Sequence, residues 1–172
     1  MSPAASSSDA PSPPSSPAPP SAPRVDFYHL RTLTLEEALM RLVTKATQGG
    51  RRAVIRAGSE DRLTHLEALL WTWDPALWLP HGSARDGEGP RQPIWLTTDE
   101  DVPNGATVLF LLEGAWPRSL AAFQRVLVLF DGRDDAAVIQ ARAQWKSARD
   151  QGSALPRAPH AQQLPPSQLR HA

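Results

Sequence analysis

Apolar residues along the chain follow two spacings, and the switches between them mark out the elements. Residues 25–30 (VDFYHL) are a short run of mixed face and read as a strand. Leu35, Ala38, Leu39, Leu42, Val43 and Ala46 then keep the i, i+3, i+4, i+7, i+8, i+11 spacing of an amphipathic helix. Thr34 stands before it and Glu37 three residues later, the arrangement of a capping box with Thr34 as N-cap. Gly49-Gly50 stops the helix. Residues 51–57 (RRAVIRA) read as a second strand, and Ser59 with Glu60 and Asp61 opens a second helix. In that helix Leu63, Leu66, Leu70 and Trp73 share one face, whereas Trp71 projects with Thr64 and Glu67 to the polar side.

The second half of the chain is richer in strands. Residues 74–81 (DPALWLPH) are followed by a Gly/Arg/Asp loop over 82–93. Ile94–Thr97 reads as a short strand and 107–112 (TVLFLL) as a buried one. A short helix is expected over 120–123, then a continuous apolar strand over 126–130 and a turn at 131–133. Asp134 and Asp135 place negative charge at the start of a last helix, which runs to about Asp150. Val138, Ala141, Trp145 and Ala148 make one narrow apolar stripe on it. Arg142, Lys146 and Arg149 make a second stripe, and the two meet along Trp145. Strand–helix alternation of this kind predicts a three-layer α/β sandwich: a Rossmann-like, mostly parallel sheet with helices on both faces.

Composition narrows the picture. At 172 residues and 41% hydrophobic, the chain suffices for one domain with a real core. Prolines occupy eight of positions 1–24 and four of 153–172, so these two ends are expected to be disordered tails around a folded unit of 25–152. A net charge of zero argues against a protein whose main task is to hold nucleic-acid phosphates. There is no cysteine, hence no disulfide, thiolate metal site or cysteine nucleophile, which fits a reducing cytoplasm. No apolar run approaches the roughly 20 residues that span a bilayer, and no secretory signal is expected at the N-terminus.

Candidate chemistry is sparse. A Rossmann-like sheet invites a nucleotide, yet no G-x-G-x-x-G follows the first strand and no G-x-x-x-x-G-K-[ST] occurs. Asp131, Asp134 and Asp135 lie just past a strand's carboxyl end and could hold Mg²⁺, but turn and N-cap duty explains them without a metal. The histidines (His29, His65, His81, His160 and His171) include no pair at helical metal-binding spacing. His81 could act as a base, but no motif supplies it with a partner, so neither catalysis nor a cofactor is expected. Two features remain open. The basic stripe beside Trp145 is either a solvated helix face or a seat for an anionic peptide end. Trp71 is either a singly exposed aromatic or part of a covered surface.

Several blocks nevertheless occur in a telling order: VDFYHL, LEALLWTWDPALWLPHG, DGEGPRQPI, NGATVLFLL, RVLVLF and ARAQWKSAR. Together they resemble the chi subunit family of bacterial DNA polymerase III holoenzyme over about residues 25–152. The resemblance implies a non-catalytic accessory subunit of the clamp-loader assembly with a Rossmann-like fold. It also implies a heterodimer with the psi subunit, and binding to the acidic C-terminal tail of single-stranded DNA-binding protein. DNA is then reached only indirectly, without cofactor, metal or membrane, in the cytoplasm.

By resemblance Arg142, Trp145, Lys146 and Arg149 match the tail-binding positions, with Trp145 where tyrosine is common and Val138 where a lysine is common. Trp71 and Trp78 match aromatic positions of the psi-facing surface, and Leu79 and Pro80 adjoin them. The tail site makes chemical sense. A peptide ending in an apolar residue and a free carboxylate calls for an apolar pocket with a cation at its end. The alternative from another class is a small nucleotide- or flavin-binding α/β enzyme. Direct single-stranded DNA binding is disfavoured by the zero net charge and the lack of interleaved basic and aromatic residues.

Overall fold

The computed structural model of the protein describes residues 22–74 and 76–155. Residues 1–21 and 156–172, which make up most of the two expected tails, lie outside the described residues, as do His160 and His171. Six strands form one sheet: β1 (Arg24–Leu30), β2 (Ala53–Arg56), β3 (His81–Ser83), β4 (Ile94–Thr97), β5 (Val108–Leu112) and β6 (Arg125–Asp131). Their order is β1-β6-β5-β2-β4-β3, and every pairing is parallel. Among the described residues three α-helices accompany the sheet: α1 (Leu35–Gln48), α2 (Glu60–Thr72) and α3 (Asp135–Asp150).

Alternation along the strands sorts side chains to two faces. Tyr28, Leu30, Ile55, Phe110, Leu112, Leu127 and Leu129 point toward α1 and α2 and pack with Leu39, Leu42, Leu63, Leu66 and Leu70. Val25, Phe27, Val54, Leu109, Leu111, Val126 and Val128 point the other way, toward Ala141 and Ala148 of α3. Helices thus cover both faces, and the expected three-layer α/β sandwich is what forms. The sheet is wholly rather than mostly parallel.

Local signals act as the pattern predicts. Thr34 caps α1, its hydroxyl accepting from the Glu37 N–H at 3.2 Å while Glu37 accepts from the Thr34 N–H at 2.9 Å. Ser59 caps α2 by accepting from the Arg62 N–H. The D-G-E-G-P-R loop depends on its glycines: Gly87 has φ 67°, and a Cβ on Gly89 would lie 2.7 Å from the Pro103 ring.

Two expectations need correcting. The region 82–93 is not all loop: Gly82 and Ser83 belong to edge strand β3, and Gly89–Arg91 is a turn of 3₁₀ helix. β3 has only three residues, with a glycine in the middle, so it carries no apolar alternation to detect. No helix forms over 120–123. A single bond from the Phe123 N–H to the Leu120 carbonyl closes a turn, and both apolar side chains are buried on the α3 side of the sheet. Contacts also extend past residues 25–152 at both ends. Arg24 opens β1, Ala154 bridges to it, the Ala154 N–H donates to the Pro23 carbonyl at 2.9 Å, and Leu155 packs on the core. Among the described residues no helix is long and apolar enough to cross a membrane.

Candidate partner-binding surfaces

The start of α3 uses its acidic residues structurally. Asp134 is the N-cap, accepting from the Ala136 N–H at 2.9 Å. Asp131, at the end of β6, accepts from Nε of Arg133 at 2.9 Å and from its Nη2 at 3.0 Å, and that guanidinium holds its carboxyl below the usual carboxylate range. Among the described residues no group of three or more His, Asp or Glu side chains is placed to hold a metal. His81 is buried, with Nδ1 2.8 Å from the Leu79 carbonyl. A carbonyl only accepts, so Nδ1 carries the hydrogen and the imidazole serves the local fold.

Further along α3, Ala141, Gln144 and Ala148 are buried against the sheet. Trp145 lies beside them, half-buried and packed on the core, with its indole Nε1 covered and without an acceptor. Val138 is half-buried on the same border. Arg142, Lys146 and Arg149 all face solvent, so the two stripes read from spacing are adjacent in space, as expected. Arg142 and Lys146 have no ion-pair partner among the described residues. Arg149 is differently placed: its guanidinium sits 5.4 Å over the Trp145 ring, and its Nη2 is 3.6 Å from Asp150. This stacking was not legible in the spacing. Nor was the burial of Gln144, a polar residue on the inner face.

The second set of predicted residues gathers where α2 ends and the chain enters β3. Trp71 is 67% exposed and Trp78 80% exposed, so both indoles stand in solvent. The Trp71 ring leans on His81, with centroids 4.8 Å apart and planes tilted by 57°, which joins the helix end to the segment carrying Trp78. Nearer the start of α2, Arg85 reaches Thr64 at 3.0 Å and Glu60 at 3.1 Å. Pro80 is half-exposed and borders the patch. Leu79 is a correction: only 6% exposed, it belongs to the core under α2 rather than to this surface. In the extended segment between Trp78 and His81, alternate residues turn inward, and Leu79 is the one that does.

A crevice of about 900 Å³ opens at the carboxyl ends of β1 and β6, between the starts of α1 and α3. Leu33, Leu35, Phe130 and Ile139 give it apolar lining. Its charged residues are mostly acidic: Glu36, Glu113, Asp131 and Asp134. Its two cations are engaged, Arg62 by Glu36 at 2.7 Å and Glu113 at 2.9 Å, and Arg133 by Asp131. Burial pulls the Glu36 carboxyl up, but a backbone hydrogen bond and the Arg62 guanidinium hold it below the ordinary glutamate value. Such a rim suits a phosphate poorly. Ile139, 65% exposed, had no place in the sequence reading. A single isoleucine outside the apolar stripe is visible there as a residue but not as a surface.

The chain matches the family described as "DNA polymerase III chi subunit, HolC" over residues 23–156. It is 27% identical over 114 residues to a protein of Rickettsia prowazekii (strain Madrid E) described as a probable DNA polymerase III subunit chi, covering 60% of this chain and 67% of that relative. It is 29% identical over 124 residues to the DNA polymerase III subunit chi of Haemophilus influenzae, covering 70% of this chain and 84% of the relative. The family match takes in all six strands and all three helices, from just before β1 to just past the bridge at Ala154. The chain therefore belongs to the chi subunit family of DNA polymerase III.

Proposed function

We propose that this protein is a non-catalytic accessory subunit of the DNA polymerase III holoenzyme, acting in the cytoplasm at the replisome. It links the clamp loader, through the psi subunit, to the acidic C-terminal tail of single-stranded DNA-binding protein, and reaches DNA only through that partner. The observation that carries the reading is the pair of exposed cations Arg142 and Lys146, which have no ion-pair partner among the described residues, beside the half-buried Trp145. In the proposed complex Trp145 lines the seat of the tail's terminal aromatic, Arg142 or Lys146 meets its carboxylate, and Arg149 attracts the acids upstream. Trp71 and Trp78, with Pro80 beside them, form a separate surface for psi. The nucleotide- or flavin-binding alternative draws no support from the crevice, where phosphates would meet a mostly acidic rim.

Titration of a labelled tail peptide against the full chain tests the tail site. A charge-assisted hydrogen bond is worth ~1.5–3 kcal/mol, so Arg142→Ala is expected to weaken binding roughly ten- to a hundredfold. Arg149→Ala is expected to cost less, since its charge is exposed and screened. Affinity falls as salt rises. Unchanged affinity in both Arg142→Ala and Trp145→Ala would remove the tail site from α3.

A further inference from the structure

Three large apolar side chains stand in solvent among the described residues: Trp71, Trp78 and Ile139. The two tryptophans belong to the patch at the end of α2, while Ile139 lies on α3 with the basic stripe. A helix advances 100° and 1.5 Å per residue, so Arg142 at i+3, Ala143 at i+4 and Lys146 at i+7 follow Ile139 along one side. Trp145 lies about 120° further round the helix, and Arg142, Lys146 and Arg149 fall between the two. The cationic stripe is therefore bordered by an apolar side chain on each flank.

The spacing of these flanks has consequences for what can lie across them. Taking the side-chain surface at a radius of about 5 Å, Ile139 and Trp145 are separated by about 9 Å along the axis and about 9 Å across it. The resulting span of roughly 12–13 Å corresponds to about four residues of extended chain at ~3.3 Å each. Beyond Ile139 lies the crevice with Glu36, Glu113, Asp131 and Asp134, which repels acidic side chains. An acidic peptide is thereby held over the cations, and only an uncharged side chain suits the Ile139 end.

We infer that Ile139 is a second apolar anchor, and a specificity-determining residue, of the peptide site on α3. The peptide that fits carries one apolar side chain at its free carboxylate end, against Trp145, and another about four residues upstream, against Ile139, with acidic residues between. This inference rests on the tail-binding reading above. The alternative, that Ile139 is merely a solvated isoleucine, differs in what it predicts for peptide choice.

The test uses the full chain and two labelled peptides. Each has a terminal phenylalanine with a free carboxylate and aspartates elsewhere; one has leucine four positions upstream and the other serine there. Wild type is expected to prefer the leucine peptide by about five- to tenfold, the worth of partly burying one aliphatic side chain. Ile139→Ser is expected to abolish the preference, by weakening the leucine peptide about five- to tenfold more than the serine peptide, and to melt like wild type because the residue is exposed. No preference in wild type, or one that survives Ile139→Ser, would overturn the inference even where Arg142→Ala still weakens both peptides. If neither peptide responds to Arg142→Ala, the peptide site is not on α3, and the inference falls together with the reading beneath it.

Discussion

Asp26 shows how much one residue can carry. Fully buried on β1, it lies 3.0 Å from Nε of Arg24 and 2.9 Å from both Nε and Nη2 of Arg125, joining the entry points of the two neighbouring strands β1 and β6. A charge taken out of water needs such partners. Both arginines keep contact with solvent, so part of the pair's worth is screened. Asp26→Asn is expected to lower stability by about 2 kcal/mol, seen as a lower urea midpoint with an unchanged m-value. In the sequence Asp26 is one polar letter in VDFYHL. Its partner Arg125 is 99 residues away, so no local pattern announces the clamp.

At the scale of elements, each helix has an inner face fixed by apolar spacing and an outer face available for other work. On α2 the inner face is Leu63, Leu66 and Leu70, and the outer face carries Trp71. Trp71→Ala is expected to leave the melting temperature nearly unchanged, because the indole is two-thirds in solvent. It is expected to weaken a psi complex by about 2 kcal/mol or more in a calorimetric titration, as loss of an interface hot spot does. A large drop in melting temperature would instead make the indole a structural cover for His81, the ring it touches. On α3 the same division places Ala141 and Ala148 inside and Arg142 and Lys146 outside, with Trp145 at the border serving both.

For the whole molecule, the parallel sheet brings distant segments to a common edge. Pro23, Arg24 and Val25 meet Ala154 there, closing the domain between its two ends. A chain trimmed to residues 22–155 is expected to unfold cooperatively, with the stability and tail affinity of the full chain. Trimming to 25–152 removes one arm of the Asp26 clamp, the Ala154 bridge and the packing of Leu155. That shorter form is expected to lose about 1–3 kcal/mol in a urea titration, the sum of a partly screened ion-pair contact and the partial burial of one aliphatic side chain. Equal stability of the two would mean that these end contacts contribute nothing.

The sequence by itself determined what depends on near neighbours. Capping by Thr34, Ser59 and Asp134, the inner faces of α1 and α2, the strands at 94–97 and 107–112 and the two stripes of α3 all follow from spacings of a few residues. Helix and strand geometry convert such spacings directly into faces. Tertiary structure alone decided the rest. The strand order β1-β6-β5-β2-β4-β3 brings the last strand beside the first. Leu79 turns inward in a segment with no regular period, β3 exists only because β4 offers it a partner, and Arg149 stacks over Trp145 instead of standing free. The crevice with its acidic rim arises where the starts of α1 and α3, some hundred residues apart in the chain, meet at one edge of the sheet. These features depend on contacts between segments far apart in sequence, whose register is set by packing of the whole core and not by any local pattern.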